Sequence, residues 1–441
     1  MLPGLLLALL VALLPVAAFG QNWVTAWAGS VQGPYPVGNP SAQPVLSFAF
    51  PSAQTGARDQ SFRLIIRPDI WAKQARLRFS NAFGTRNITL DSVYAGLQMS
   101  GAAILPGTNV PVTFNGQRSV ALSPGQSIWS DPVTLGFVQP GAMQGRKLAV
   151  SFHALGETGP MTWHAKALTT SYLSPPGAGA NAAQAEIELG FPFSTTSWYF
   201  LDAIDMDAPP GTQAVVALGD SITDGTASTL NGDDRWPDVL SRRLHAAYGE
   251  RFSVVNAGIG GNQVVGPAEY APEHPFPGGA SALQRLDRDV LSLSGVKTVI
   301  WLEGINDFSK NGNATAEAVE AGMKEGVARI RGRIPGARVV GATLTSALGS
   351  TNPGHGSPEQ DAKRQALNEF IRGGALFDSV ADFDKVTIDP KTGGLRPEFV
   401  PESTTGGPGD ELHPNRAGYQ AMGASIPLAI ITAEPAQQTP R

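Results

Sequence analysis

The sequence predicts two dissimilar regions in series: an all-β sandwich-like domain, then an α/β domain built on a parallel sheet. Three observations predict this. Up to about residue 205, apolar residues alternate with polar ones or form short runs between Gly, Pro, Asn and Ser clusters. Beyond that point, short β-branched runs alternate with segments of helical period. Between the two textures lies Ala208-Pro209-Pro210-Gly211, a stretch suited to a connection and to neither kind of element.

In the first region "ARLRFSNAFG" alternates from Ala75 to Phe79, and "NITLDSVYAGLQM", "RKLAVSFHAL" and "MTWHAKALTTSYL" read as further strands. Pro34, Pro36, Pro40 and Pro44 make its opening segment extended and irregular. In the second region "AVVAL", "FSVVN", "VKTVIWL", "ARVVGATL" and "DSVADF" read as strands. Helical patterns separate them in "WPDVLSRRLHAAY", "ASALQRLDRDVLSL", "TAEAVEAGMKEGVARIRGRI" and "EQDAKRQALNEFIRG", and a last helix lies near "NRAGYQAMGASI". Such alternation implies a parallel sheet covered on both faces, with any ligand site at the carboxyl ends of its strands.

The outer segments read differently. In "MLPGLLLALLVALLPVAAFGQ" the apolar run Leu5 to Ala18 is shorter than the roughly 20 residues of a spanning helix, and Ala18-Phe19-Gly20 offers small residues to a signal peptidase. Residues 1–20 are therefore expected to be a signal peptide, with an uncleaved anchor as the alternative. Residues 21–207 then form the β-rich domain, 208–433 the α/β domain and 434–441 a disordered tail. The 441 residues carry 32 basic and 37 acidic side chains, a net charge of −5, without long runs of one sign. That excludes an obvious nucleic-acid footprint or polybasic membrane patch. There is no cysteine, so disulfides, a thiol nucleophile and Cys-ligated zinc are excluded together.

The chemically suggestive residues of the second region all fall just past strands. Ser221 follows "AVVAL", Gly260-Gly261-Asn262 follows "FSVVN", and Gly304-Ile305-Asn306-Asp307 follows "VKTVIWL"; Asp410-Glu411-Leu412-His413 precedes the final helix. A serine is a weak nucleophile until a base takes its proton, and the base needs a third group to fix its tautomer. Three residues apart in a turn, the Asp410 carboxylate can bond Nδ1 of His413 while Nε2 faces the serine. Acyl transfer also needs donors where the carbonyl oxygen becomes negative. The N–H groups of Ser221 and Gly261 and the Asn306 amide supply three.

The segments "GDSITDG", "NAGIGGN", "GIND" and "DELH", in that order, resemble the four blocks of the SGNH/GDSL hydrolase superfamily. The resemblance extends from about residue 214 to 427. It implies a flavodoxin-like three-layer αβα domain around a five-stranded parallel sheet. It implies Ser221 as nucleophile, Asp410 and His413 as the rest of a triad, and Ser221, Gly261 and Asn306 as the oxyanion hole, with neither metal nor organic cofactor. "RWPDVL", "SALQRLDRDVL", "TLTSALG" and "ADFDK" add similarity to exported members with an extra N-terminal β-domain. Thr223 stands where the GxSxG elbow of α/β-hydrolases has its last glycine, so the serine block is of a different kind. The long stretches 348–360 and 396–410 have no family template and bear on substrate.

The function expected from these residues is an exported serine esterase, secreted or periplasmic, acting on small-molecule or polysaccharide esters through an acyl-enzyme. Acylated carbohydrates and aryl esters are the candidate substrates. A lipase, lysophospholipase or thioesterase of the same superfamily is the alternative, followed by a carbohydrate-binding protein with an inactive hydrolase domain. No nucleic-acid partner and no stable membrane insertion after signal cleavage are expected. Other polar residues read as structural: His153, His164 and His245 within elements, and Asp220, Asp224 and Asp307 as loop-holding carboxylates, Asp307 bracing its own loop. His274 and His355 read as exposed or loop-packing residues, with lining of the substrate cleft as the alternative. Six tryptophans of the first region read as core or domain contacts. Without a titratable constellation, that region is assigned a structural or substrate-presenting role.

Overall fold

A computed structural model describes residues 20–139, 141–180, 186 and 188–432. The expected leader, apart from Gly20, and the expected tail lie outside the described residues. Besides a small sheet that pairs Trp163–His164 with Trp198–Tyr199, the first region has two main antiparallel sheets. One has five strands, with Trp23–Ala28, Leu201–Asp207, Gln74–Ser80 and Ser127–Trp129 in that order and Val133–Thr134 also on Gln74–Ser80. The other has eight, its centre formed by Arg58–Ile66, Leu148–Glu157 and Ile88–Ser100. Side chains alternate across each sheet, so every second residue enters the space between them. Phe62 and Phe152 of the larger sheet stack with ring centroids 5.0 Å apart, and Phe79 of the smaller meets Phe152 edge-on at 5.4 Å. These contacts make the sandwich core.

The second region is a five-stranded parallel sheet: β1 (Gln213–Gly219), β2 (Phe252–Gly258), β3 (Val296–Leu302), β4 (Arg338–Ala342) and β5 (Ser379–Ala381), in the order β2-β1-β3-β4-β5. That is the flavodoxin-like order. The strands read as nearly continuous apolar runs because helices bury both faces; β1 is buried from Ala214 to Gly219. Besides three shorter helices, Ser221–Asp224, Phe383–Thr387 and Ala429–Thr432, the helices are α1 (Trp236–Tyr248), α2 (Ala282–Leu286), α3 (Ala316–Arg333), α4 (Pro358–Arg372) and α5 (Arg416–Ser425). Helix α1 packs on α5, while α3 packs on α2 and on α4. Right-handed crossovers place these two groups on opposite faces. In register, Gly219 lies opposite Gly258 of β2 and Leu302 of β3. The carboxyl ends of three strands therefore finish at one level, and the loops that follow share one edge.

The two regions share a continuous buried apolar cluster. Trp23–Ala28 packs against β2. Ser253 Oγ donates to the Thr25 carbonyl at 2.7 Å, and the Thr25 N–H donates to the Ser294 carbonyl at 3.0 Å. Asn22 Nδ2 donates to the Pro209 carbonyl at 2.9 Å, fastening the connecting stretch. Among the described residues no helix is long and apolar enough to cross a membrane.

Candidate active site

Chain geometry fixes the serine. Strand β1 ends at Gly219, where a Cβ would lie 2.3 Å from both the Leu302 carbonyl and Thr223 Oγ1, so only glycine lets the chain turn there. Asp220 caps the next turn, its side chain accepting from Ile222 N at 2.9 Å. Ser221 is then the first residue of the short helix Ser221–Asp224, and its N–H lies outside the intrahelical ladder. Burial, with Glu303 and Asp307 nearby, pushes the Asp220 carboxyl well above the usual range despite its backbone hydrogen bond.

The turn Asp410–His413 brings the other two residues in. Glu411 adopts φ +59°, and Oδ1 of Asp410 accepts the N–H groups of Leu412 at 3.1 Å and His413 at 3.0 Å. The other oxygen, Oδ2, sits 2.7 Å from Nδ1 of His413, and Nε2 of the same ring sits 2.8 Å from Ser221 Oγ. Burial raises the Asp410 carboxyl, but the His413 contacts and the amide of Asn352, which donates to Oδ2 at 3.1 Å, outweigh it and hold the carboxyl well below its ordinary range.

The glycine loop is tied from several sides. Gly261 has φ +87°, a conformation that disfavours any side chain. Asp224 Oδ2 accepts the Gly260 N–H at 2.9 Å, and Asn262 Nδ2 donates to the Gly278 and Ala280 carbonyls at 2.6 and 2.7 Å. Asn306 Nδ2 donates to the Asn262 carbonyl at 2.9 Å, joining the third loop to the second. Asp307 does not brace its own loop alone, as expected from sequence. Its two oxygens accept the N–H groups of Val264 and Val265 at 2.8 and 3.1 Å, and burial pushes its carboxyl up to about 7 against those bonds.

Ser221, Gly261, Asn306, Asp410 and His413 all line one cleft of about 450 Å³. The sequence reading missed three of its neighbours, Arg285, Asn39 and Lys166, and named a fourth, His355, only as an alternative. Fully buried Arg285 donates to the carbonyls of Gly219 at 2.9 Å and Ala257 at 2.8 Å and to Asn262 Oδ1 at 2.7 Å, locking the ends of β1 and β2 together. His355, expected to be an exposed or loop-packing residue, lines the cleft. Burial and the neighbouring His413 lower its imidazole to about 4, so it is neutral in ordinary buffers. Asn39 and Lys166 come from the first region, which therefore reaches the cleft itself. Asn39 Nδ2 donates to the Gly260 carbonyl at 2.7 Å, and Lys166 Nζ donates to Thr226 Oγ1 at 2.6 Å. The available signal was His164 and Lys166 two residues apart in an otherwise buried strand pattern, hence on one face. His164 faces the same junction, with Nε2 3.1 Å from Asp224 Oδ1. His153 lies between Asp59 and Asp91, and His245 bonds the Phe252 carbonyl, both as structural residues. Among the described residues no group of three or more His, Asp or Glu side chains is placed to hold a metal ion.

A serine, a histidine and an aspartate in one hydrogen-bonded row, at the carboxyl edge of a flavodoxin-like sheet, is the arrangement of an SGNH-type hydrolase. Residues 217–421 match the GDSL-like Lipase/Acylhydrolase family, and this domain supports a hydrolase of ester bonds. Similar solved structures include a carbohydrate acetylesterase from Sinorhizobium meliloti, at 16% identity over 49% of this chain and 96% of that one, TM-score 0.36. They also include an aryl esterase from M. smegmatis, at 18% over 48% and 96%, TM-score 0.36. A lipase/acylhydrolase from Enterococcus faecalis aligns at 24% over 51% and 100%, TM-score 0.37. No curated protein matches the chain.

Proposed function

We propose that this chain is an exported serine esterase that cleaves carboxylic esters through an acyl-enzyme on Ser221. The observation that carries the reading is the unbroken row Ser221 Oγ–His413 Nε2–Nδ1–Asp410 Oδ2, with steps of 2.8 and 2.7 Å across the two hydrogen bonds. His413 takes the Ser221 proton as Oγ attacks the ester carbonyl, and Asp410 keeps Nδ1 protonated so that Nε2 is free to act. The N–H groups of Ser221 and Gly261 and the Asn306 amide receive the developing oxyanion. The departing alcohol takes its proton from His413, and water repeats the sequence to release the acid. Export rests on the leader-like apolar run of residues 1–20.

The cleft supports a short acyl group on a polar, carbohydrate-like alcohol. Its walls include Asn39, Ser41, Lys166, Gln263, Asn311 and Asn352, groups that hydrogen-bond a polyol better than they cover a long acyl chain. A fluorophosphonate should label Ser221 alone, and turnover of p-nitrophenyl acetate should exceed that of the octanoate and palmitate, with acetylated xylan or pectin also deacetylated. Labelling at another residue, or a preference for the palmitate, overturns the reading.

Asn306 allows a separate check. If its amide binds charge that develops only in the transition state, Asn306→Ala lowers kcat by about 10²–10³-fold with little change in KM. The same amide also holds the Asn262 carbonyl, so a bracing residue would give the opposite signature: a clear fall in Tm and a small kinetic loss shared between kcat and KM. Kinetics and melting curves on the alanine variant separate the two.

A further inference from the structure

Lys166 is the anomaly of the cleft. The residue is 5% exposed and arises from the first region, yet it lines the same cavity as Ser221. A Cβ placed on Gly260 would lie 3.0 Å from its Cε and 3.4 Å from its Nζ, so the ammonium group rests against the glycine loop. One of its three N–H groups goes to Thr226 Oγ1. The Thr226 N–H in turn donates to the Ser221 carbonyl at 2.9 Å, which ties Lys166 to the turn that carries the serine.

Burying an ammonium costs several kcal/mol unless an opposite charge is paired with it. Among the described residues no carboxylate oxygen lies within ion-pairing distance of Lys166. The acids that influence it, Asp224, Asp410 and Glu402, act from farther off. Two of these are committed elsewhere: Asp224 to His164 and the Gly260 N–H, Asp410 to His413 and Asn352. Burial lowers the Lys166 pKa more than those acids raise it, as expected for a cation without its counter-ion.

We propose that Lys166 forms a subsite for a carboxylate carried by the ester substrate, supplied across the junction by the first region. This rests on the esterase reading above and narrows its substrate class to esters that also carry an anionic group. The carboxylate supplies the missing counter-ion and accepts from the free ammonium N–H groups. The polar wall beside it, Asn39 and Ser41, suits a hydroxylated carrier such as an acidic sugar.

The test compares matched pairs of esters on the full chain. Phenyl acetate and 4-carboxyphenyl acetate place the charge on the alcohol; p-nitrophenyl butyrate and mono-p-nitrophenyl succinate place it on the acyl group. Wild type should favour the charged member of one pair by about 10–100-fold in kcat/KM, the range of a hydrogen bond to a charged group, chiefly through KM. Lys166→Met should collapse that ratio to about one, and Lys166→Arg should retain most of it; a merely structural lysine would shift both members of a pair alike. Lys166→Gln serves as the neutral variant if the methionine form does not fold. A wild-type ratio of one or less in both pairs, or a ratio that survives in the neutral variants, overturns the subsite while leaving the esterase reading intact. Absence of Ser221-dependent turnover of all four esters overturns the esterase reading itself, and the subsite with it.

Discussion

Ser221→Ala is expected to lower kcat on p-nitrophenyl acetate by about 10⁶-fold, the loss that follows removal of the serine or histidine from a working triad. The size follows from the division of labour in the cleft. His413 is hydrogen-bonded to Asp410 with or without the serine, but an activated base has nothing to activate once Oγ is gone. The fold should be little affected. The alanine methyl occupies the same first position of the short helix, Asp220 still caps it, and Nε2 of His413 faces a cleft that water can fill. The melting curve should stay close to that of wild type. His413→Ala should cost a similar factor, and the double variant no more than either single change, because two groups that act as one unit are lost together. Additive losses, or alanine turnover within tenfold of wild type, would show that the row of hydrogen bonds is not the catalytic unit.

Much of this arrangement was legible in the sequence, and the parts that were not share a physical cause. The parallel strands could be read because burial on both faces demands unbroken apolar runs such as "AVVAL" and "VKTVIWL", and each ends where the chain must turn. Ser221, Gly261, Asn306, Asp410 and His413 were readable because each stands in a short local pattern; the structure brings all five into one cleft. Local pattern misled where tertiary bonding decided the backbone. "ASALQRLDRDVLSL" reads as one helix, yet α2 ends at Leu286 and Asp287–Leu291 winds more widely, where Arg285 and Arg288 both bond Asp289. "MTWHAKALTTSYL" reads as one strand, yet it splits into Trp163–His164 and Ser171–Leu173, with Leu168 at φ +51° between them. Asn39 could not be placed from the sequence, and Lys166 only on the face it shares with His164, because what the two touch lies far away in sequence. A lysine in a strand pattern looks like a solvated face until the second region closes over it.

Asp410→Asn is expected to lower kcat by about 10⁴-fold, the scale at which loss of the correct histidine tautomer acts. The structure leaves the amide no good orientation. With its oxygen kept towards the N–H groups of Leu412 and His413, its NH₂ faces both Nδ1 of His413 and the donating amide of Asn352. Nδ1 must then accept, the ring proton moves to Nε2, and the base points a proton at Ser221 where it needs a lone pair. Flipped, the NH₂ meets the two backbone N–H groups, and the turn that carries His413 loosens. Stability should follow the same group with a definite sign. Because the folded Asp410 carboxyl titrates below the ordinary value of 3.8, the charge it carries stabilises the fold above that pH. That contribution fades as pH falls through the depressed folded value. The wild type should therefore melt higher than the asparagine variant near neutrality, and the gap should narrow steadily as pH is taken below about 3.8. Melting temperatures of both proteins across that range, set beside kcat at neutral pH, test the assignment twice. A constant gap would remove Asp410 from the list of ionised partners, and asparagine activity within tenfold of wild type would show that His413 keeps its working tautomer without it.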